Sequence, residues 1–388
     1  MDLKQVQYQD PKTQTYLGSP SIARLPNGDL LASYDYFGPG APESLEGLNL
    51  LTSISRSGDD GESWEHLTHV SYQTMSNIFV HRGNVYLIGT SVYYGNIVIR
   101  RSEDGGNTWT HPRDPKSGLL FESGPSLEPP NYHFSAMPLL TYEGRLLGAF
   151  EDVRRPAVPI PGTGGVLGNR GLQSFVLSIA EEDDLLDASN WTMSNKLDIG
   201  PEDAPKSWRK PADLNWREGN VVVAPDGELW NILCVKSQPH VPGRVETAAV
   251  VRVSKDGRRV SFDPETGLID FPGGMSKFTI RKDETMGTYW TLTNNVTNPA
   301  LPNQRNVLSL YDSPDLVDWR HRATLLEDDL ELSPDESDRL TGFQYADWEF
   351  DGNDVYYLLR TAYDGAASFH DANRITFHRV KDFRKLAC

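Results

Sequence analysis

Residues 57–64 (SGDDGESW) and 102–109 (SEDGGNTW) repeat one pattern, Ser-x-Asp-x-Gly-x-Ser/Thr-Trp. The aspartate of such a turn can accept hydrogen bonds from backbone N–H groups, and the tryptophan can pack between repeated units. Weaker versions occupy residues 187–191, 254–257 and 313–319. We expect the aspartates Asp59 and Asp104 to be structural and to lie away from any active site.

A longer unit recurs around these octets: an apolar strand, a Gly-containing turn and a second apolar strand. Asn-Gly and Asp-Gly between such strands are strong hairpin signals, because both central turn residues need positive φ. The turns lie at residues 27–28, 82–84, 143–144, 226–227, 282–284 and 351–352. Six hairpins predict an all-β, six-bladed β-propeller made of four-stranded antiparallel blades.

The last predicted blade has only three strands of its own, and residues 4–9 can supply the fourth and close the ring. We therefore expect one domain over residues 1–388. The third unit is long and contains a Pro/Gly-rich insert at residues 155–171, which is typical of a surface loop. A seventh blade hidden in this unit is the alternative.

The net charge of −17 argues against a nucleic-acid partner, whose phosphates require a basic surface. It leaves room for an anionic sugar, because a cationic pocket can lie inside an acidic surface. No apolar stretch is long enough to span a membrane, and no signal peptide is recognisable, so the compartment stays open between the cytoplasm and, with a removed leader, the periplasm or exterior. The two cysteines, Cys234 and Cys388, imply no disulfide framework, and the oligomeric state stays open.

In a propeller, the start of each innermost strand and the end of the second strand meet at the same end of the central channel. Polar side chains from five of the six predicted blades collect there, although a charge at a strand end is usually just solvated. They are Tyr34, Asp35, His133, Glu151, Asp152, Arg154, Arg217, Glu218, Lys236, Lys277, Gln344, Tyr345, Arg360 and His370. No HExxH, CxxC or P-loop motif occurs, so we expect neither a metal nor another cofactor.

The octets resemble the Asp-box, or BNR repeat, of the sialidase-like β-propeller superfamily. In sialidases a glutamate opens a middle blade and a tyrosine opens the last blade. Residues 216–220 (WREGN) and 343–347 (FQYAD) match those positions. The resemblance implies that Tyr345 is a nucleophile, that Glu218 is its base, and that the protein degrades glycans.

The three arginines with which sialidases bind the sialic acid carboxylate have no matching arginine here. Residues 18–22 (GSPSI) lack the first, Lys236 stands at the second, and residues 275–277 (MSK) lack the third. The resemblance thus implies a glycoside hydrolase that is not a true sialidase. Because Lys236 and Lys277 are cationic, an acidic sugar stays open as the substrate, held by point charges rather than by bidentate guanidinium groups.

Residues 18–22, 30–38 and 216–227 also resemble the propeller family of α-L-rhamnosidases and rhamnose–glucuronate lyases. Those enzymes remove rhamnose that caps glucuronate in arabinogalactan-type glycans. The family's key histidine corresponds to Tyr34 in this chain.

Three hypotheses follow, each with an oligosaccharide or polysaccharide as partner. In a hydrolase, Tyr345 attacks the anomeric carbon, Glu218 takes its proton, and Asp35 or Glu151 protonates the leaving oxygen. In a lyase, Lys236, Lys277 or Arg360 neutralises a uronate carboxylate, and Tyr34 or His133 removes the C5 proton. In a non-catalytic propeller the same residues only bind a glycan. The residues expected to bind substrate are Arg217, Lys236, Lys277, Arg360, His370, Asp152 and Gln344. His370 with Asp371 is either an oriented base or a capped turn.

Overall fold

The computed structural model describes residues 1, 3–125, 128–153, 158–159, 166–167, 171–208, 211, 213–238 and 246–387. These residues form six antiparallel sheets of four or five strands, arranged as the blades of a β-propeller. The predicted fold class is confirmed, with six blades rather than seven. Most of the predicted surface insert at residues 155–171 lies outside the described residues.

The first half of the chain builds three blades, each running outward from the central channel. The strand β1 (Lys4–Tyr8) precedes them. Blade 1 contains β2 (Tyr16–Arg24), β3 (Leu30–Phe37), β4 (Leu51–Ser57) and β5 (Glu65–Ser71). Blade 2 contains β6 (Thr74–His81), β7 (Asn84–Thr90), β8 (Ile97–Ser102) and β9 (Leu119–Phe121). Blade 3 contains β10 (Tyr132–His133), β11 (Leu140–Tyr142), β12 (Arg145–Val153), β15 (Leu172–Ala180) and β16 (Thr192–Met193), with the hairpin β13 (Val158–Pro159) and β14 (Val166–Leu167) inserted after β12.

The second half builds the other three blades. Blade 4 contains β17 (Asp213–Val223), β18 (Leu229–Gln238), β19 (Thr247–Val253), β20 (Val260–Ser261) and β21 (Leu268–Asp270). Blade 5 contains β22 (Thr279–Asp283), β23 (Thr288–Asn294), β24 (Val307–Ser313) and β25 (Arg320–Glu327). The helix α1 (Pro334–Leu340) leads into blade 6, which contains β26 (Gly342–Asp351), β27 (Asp354–Ala362) and β28 (Arg374–Val380). Short 3-10 turns cover Pro11–Thr13, Ala188–Asn190, Pro201–Asp203 and Phe383–Ala387.

The N-terminal strand closes the ring. β1 pairs antiparallel with β28, so that Lys4 lies opposite Phe377 and Tyr8 lies opposite Arg374. Blade 6 therefore takes its outermost strand from the start of the chain and its other three from the end. The predicted closing strand is confirmed, and it ties the two ends of the chain into one sheet.

Both octets form the turns that their sequence predicts. Asp59 accepts a hydrogen bond from the Ser63 backbone N–H at 2.8 Å and another from the Ser57 hydroxyl at 2.8 Å. Asp104 makes the same kinds of contact in the second octet. Ser57 pairs with Leu30, the first residue of β3, so the octets lie at the end of each blade where the first hairpin turns.

Six apolar clusters hold the blades together, one at each interface between consecutive blades. Large aromatic residues occupy several of them; Trp216, Trp290 and Trp348 are fully buried. Polar groups also connect neighbouring innermost strands: Asp347 accepts hydrogen bonds from the Ser21 hydroxyl at 2.7 Å and the Ile22 N–H at 2.9 Å. These contacts hold the innermost strands in fixed relative positions beneath the mouth of the channel.

Candidate active site

A backbone irregularity recurs at one end of the innermost strands. In β2, β6, β17 and β26 the pairing with the next strand slips, and one residue within each slip has positive φ. These residues are Ser19, Met75, Glu218 and Tyr345, with φ of 47°, 50°, 61° and 59°. Such a conformation is unfavourable for a residue with a Cβ atom, and bulges of this kind redirect side chains beside functional sites.

All four bulge residues line one cavity of about 550 Å³, to which every blade contributes. This volume lies within the range of pockets that bind small molecules. The wall combines aromatic rings with charged groups. The acidic and basic side chains are Asp35, His133, Arg217, Glu218, Lys236, Arg305, Arg360, His370 and Asp371.

Tyr345 and Glu218 form a hydrogen-bonded pair in this cavity. The Tyr345 hydroxyl donates to Glu218 Oε1 at 2.6 Å. Burial raises the pKa of Glu218, but the charges of Arg217 and Lys236 and the hydrogen bond from Tyr345 outweigh it and lower that pKa to about 2. Burial and the adjacent carboxylate raise the pKa of the Tyr345 phenol. The proton of the pair therefore stays on the tyrosine, and the negative charge stays on the glutamate.

Two guanidinium groups and a lysine amine lie close to the Tyr345 ring. The guanidinium carbons of Arg360 and Arg305 lie 5.3 and 5.5 Å from the ring centroid, and Lys277 Nζ lies 5.7 Å from it. Lys277 is 2% exposed, and its Nζ has no hydrogen-bond partner among the described residues. Burial lowers the pKa of Lys277. The positive charges of Arg305 and Arg360 act to lower the pKa of the Tyr345 phenol, so they stabilise negative charge that develops on its oxygen when the proton leaves.

Asp35 is a buried carboxyl group at the end of β3. It accepts hydrogen bonds from the Thr52 hydroxyl and the Met75 backbone N–H. Burial raises its pKa to about 7, although these hydrogen bonds, together with one from the Ser19 hydroxyl, act in the opposite direction. Asp35 can therefore exist as a protonated acid near neutral pH, whereas Glu218 in the same cavity is ionised.

Two histidines in the cavity wall are each paired with a carboxylate. His133 Nδ1 lies 2.8 Å from Glu151 Oε2, and the other oxygen of Glu151 accepts the Gly219 N–H at 3.2 Å. His370 Nδ1 lies 2.9 Å from Asp371 Oδ1, and about half of the His370 side chain is exposed. In each pair the carboxylate fixes the orientation of the imidazole ring.

Of the candidate residues from the sequence, eight line the cavity. They are Asp35, His133, Arg217, Glu218, Lys236, Tyr345, Arg360 and His370. The other candidates that the structure describes do not line it. Arg154 lies outside the described residues.

The expectation that Tyr34 faces the cavity is wrong. Its hydroxyl lies 3.0 Å from Ser55 Oγ, and its ring packs in the apolar cluster between blades 1 and 6. The reason is strand alternation: because Asp35 points into the cavity, its neighbour must point to the other face of β3. A lyase that uses Tyr34 as its base is therefore incompatible with this geometry.

Three further candidates support the cavity from behind its wall. Glu151 holds His133, as described above. Asp152 forms an ion pair with Lys196 and accepts the Asn131 N–H at 2.9 Å. Gln344 accepts a hydrogen bond from Arg305 and donates one to the Phe369 carbonyl.

The expectation that Lys277 binds substrate is also wrong. Lys277 lies behind the Tyr345 ring instead of lining the cavity, so it is not positioned to contact a substrate carboxylate. It lies two residues before β22, the innermost strand of blade 5. Lys277 does not have a positive φ, so no bulge redirects its side chain as one does at Glu218 and Tyr345.

Arg305 is the charged residue of the cavity that the sequence did not reveal. It precedes β24, the third strand of blade 5, as His370 precedes β28, the third strand of blade 6. In an antiparallel blade the third strand starts where the second ends, so the start of the third strand also lies at the mouth of the channel. Including these starts in the sequence prediction would have identified Arg305. The cavity thus contains three arginines, although the three motif positions of sialidases lack them.

Comparison with solved structures shows what fold this is. The chain is similar to the Penicillium chrysogenum α-L-arabinanase complexed with arabinobiose, with 17% identity, a TM-score of 0.53 and 99% of each chain covered. It is also similar to an α-L-arabinofuranosidase of Fusarium graminearum bound to arabinobiose, with 15% identity, a TM-score of 0.55 and 98% of each chain covered. A Hadza microbial sialidase gives 15% identity and a TM-score of 0.56, over 96% of this chain and 67% of that one.

The likeness is one of fold. No family model matches the sequence, and no curated protein matches it. At these identities the three structures agree on the propeller, and the chemistry has to be argued from the cavity itself. Within the described ranges, no helix is long and apolar enough to cross a membrane, and no group of three or more His, Cys, Asp or Glu side chains is arranged to hold a metal ion.

Proposed function

We propose that this protein is a retaining glycoside hydrolase in which Tyr345 is the nucleophile, Glu218 is its base and Asp35 is the acid. The hydrogen bond of 2.6 Å between Tyr345 and Glu218, inside a cavity lined by cations, carries the proposal. A free phenol is a poor nucleophile at neutral pH, so it needs an adjacent base. Glu218 is ionised and already accepts a hydrogen bond from the hydroxyl group whose proton has to leave.

The reaction would proceed in two steps. Tyr345 Oη bonds to the anomeric carbon while its proton passes to Glu218, and Asp35 gives its proton to the departing glycosidic oxygen. This leaves an aryl glycoside in which Tyr345 Oη is bonded to the anomeric carbon. Water, deprotonated by the Asp35 carboxylate, then displaces Tyr345 from that carbon, and Glu218 returns the proton to the phenolate. Two displacements at one carbon retain its configuration, and both side chains recover their starting protonation.

An acidic sugar fits this cavity best. With Asp35 protonated, four cationic side chains (Arg217, Lys236, Arg305 and Arg360) line the wall against two carboxylates, Glu218 and Asp371. The protein has a net charge of −17, yet it places these cationic side chains in one cavity. Such a local concentration of positive charge attracts an anionic group. A neutral tyrosine also meets an anionic sugar without the charge repulsion that a carboxylate nucleophile would meet.

The similar folds agree with this class of reaction, since an arabinanase, an arabinofuranosidase and a sialidase all cleave glycosidic bonds. The chain differs from sialidases at the three arginine positions, and so we propose an acidic sugar other than a sialic acid. A uronate-containing glycan is the class that we favour.

A substrate panel tests the proposal. The protein is incubated with rhamnose-, uronate- and sialate-capped oligosaccharides, and the products are identified by mass. Release of a terminal sugar with gain of one water supports the hydrolase. Products without added water, which carry a double bond in the uronate, would instead support a lyase that uses the His133–Glu151 pair as its base.

Matched variants connect any activity to the site. Tyr345→Phe should abolish hydrolysis, whereas Tyr34→Phe should leave it intact, because the Tyr34 hydroxyl bonds to Ser55 outside the cavity. Equal activity in both variants would contradict the proposal. Binding of a glycan without any turnover would identify a non-catalytic propeller.

A further inference from the structure

A second cavity of about 400 Å³ lies beside the candidate active site, between blades 1 and 2. Its wall includes Glu46, Tyr72, Ser91 and Asn96. The hydrolysis proposed above makes no use of it. We infer that this second cavity binds a neutral sugar residue of the substrate, on the leaving-group side of the bond that is cut. The inference rests on the proposed function.

The two cavities are lined by the same two loops, without a lining residue in common. Asn49 and Tyr93 line the active-site cavity, whereas Glu46 and Ser91, only a few residues away on the same two loops, line the second cavity. The Tyr93 N–H donates to the Asn49 carbonyl at 3.0 Å and joins the loops to each other. A chain of sugars that leaves the first cavity across these loops therefore reaches the second one directly.

A buried arginine gives the second cavity a rigid back wall. Arg100 is 4% exposed, and its Nη2 donates to the carbonyls of Ser71 at 2.8 Å and Tyr72 at 3.3 Å. Its Nε donates to Gln73 Oε1 at 3.1 Å, and Nη1 donates to the Thr110 carbonyl at 3.1 Å. The arginine thus fixes the turn that carries Tyr72.

Tyr72 has two features of a binding residue. Tyr72 lines the second cavity, and the residue is 52% exposed although Arg100 holds its backbone carbonyl. Its φ of 53° is a conformation that residues with a Cβ atom rarely adopt and that concentrates at functional sites. An exposed aromatic ring on a turn that Arg100 holds offers a flat apolar surface to the C–H face of a sugar.

The charges of the second cavity favour a neutral ligand. The remaining Nη1 proton of Arg100 faces His111 Nδ1 at 3.2 Å, so the guanidinium has its donors engaged within the protein. The carboxylate of Glu46 repels anions and accepts hydrogen bonds from hydroxyl groups. An uncharged pyranose or furanose meets both requirements, in contrast to the acidic sugar that fits the active-site cavity.

Steady-state kinetics with two substrates test the inference. One substrate carries the cleavable sugar on a small aryl leaving group, and the other carries it on a neutral trisaccharide. Tyr72→Ala should raise KM for the trisaccharide substrate roughly tenfold and leave KM for the aryl substrate unchanged. Tyr72→Phe should behave as wild type. The control Tyr8→Ala removes a similarly exposed tyrosine from β1, in the outermost strand of blade 6.

Equal KM values for wild type and Tyr72→Ala on the trisaccharide substrate would overturn the inference. So would an equal loss on both substrates. If wild-type protein cleaves neither substrate, the proposed function fails, and calorimetry then decides the second cavity alone. Binding of arabinotriose or galactotriose to wild type that is lost in Tyr72→Ala but kept in Tyr8→Ala would support it, and no binding to wild type would overturn it.

Discussion

At the octet end of the propeller, Asp59 accepts hydrogen bonds from hydroxyl and backbone N–H groups, and at the cavity end Asp35 accepts bonds of the same kinds. Their acidities nevertheless differ. The hydrogen bonds to exposed Asp59, chiefly from Ser63, lower its pKa to about 2, whereas burial raises the pKa of Asp35 to about 7. Similar hydrogen bonds thus leave one aspartate a permanent anion and allow the other to be an acid.

The cavity end repeats this contrast within itself. Asp35 and Glu218 are both buried, but Arg217 and Lys236 lie beside Glu218 and lower its pKa to about 2 despite burial. Two carboxyl groups in one cavity, with pKa values moved in opposite directions, are what a general acid and a base require. We therefore place the chemistry at this end and assign only a structural role to the octets.

Removing the Tyr345–Glu218 pair should have the largest effect. Tyr345→Phe and Glu218→Gln should each lower kcat about 10³-fold or more, because neither partner works without the other. The double variant should be little worse than either single one. Multiplicative losses in kcat would mean that the two residues do not act as one unit.

Asp35→Asn should lower kcat/KM roughly 10²-fold or more for substrates with poor leaving groups, and much less for activated aryl glycosides. In wild type, kcat/KM should fall as the pH rises through about 7, since Asp35 then loses the proton that it has to donate. If kcat/KM of wild type does not fall in this way, or if Asp35→Asn shows the same fall, Asp35 is not the acid of the mechanism.

Arg305→Ala should lower kcat/KM about 10- to 100-fold on an acidic substrate, since a hydrogen bond to a charged group contributes about 1.5–3 kcal/mol. The loss should be much smaller on the uncharged analogue in which the carboxylate is an amide. Equal losses on the two substrates would show that Arg305 does not recognise the acid group.

Asp104→Ala sharpens the comparison from the other end. It removes the acceptor of an octet turn, and the melting temperature should fall by about 2–4 °C. Activity per folded molecule should stay unchanged. Loss of turnover at an unchanged melting temperature would mean that the octets, rather than the cavity, mark the active end.

A smaller effect concerns stability and pH. Because folding raises the pKa of Asp35 from 3.8 to about 7, the stability linked to its proton is complete below pH 3.8 and is lost as the pH rises towards 7. Asp35→Asn should therefore show a flatter dependence of its urea midpoint on pH across this window. Parallel curves for variant and wild type would show that the pKa is not raised.

The fold could be predicted from the sequence because its signals are local. Turns such as Asn27-Gly28 and Asp351-Gly352 need only adjacent residues, and both join first and second strands as expected. The Tyr345–Glu218 pair was also found, since the motif resemblance marked both residues, although they are far apart in the chain.

Side-chain direction and loop residues could not be predicted in the same way. Tyr34 and Asp35 are adjacent, and each carries a polar group. Only the orientation of β3 decides that Tyr34 packs in the core and Asp35 lines the cavity. The burial that raises the pKa of Asp35 depends on contacts between blades. So does the approach of Arg305 and Lys277 to the Tyr345 ring. Those contacts have no pattern along the chain.

The central claim is a covalent bond to Tyr345, and trapping that intermediate tests it most directly. The protein is incubated with a 2-deoxy-2-fluoro glycosyl fluoride of the sugar released in the substrate panel, because the fluorine slows the second displacement more than the first. Peptide mass mapping should then find the fluorosugar on Tyr345 in wild type and no adduct in Tyr345→Phe. An adduct on a different residue, or stoichiometric labelling that survives in Tyr345→Phe, would contradict the account.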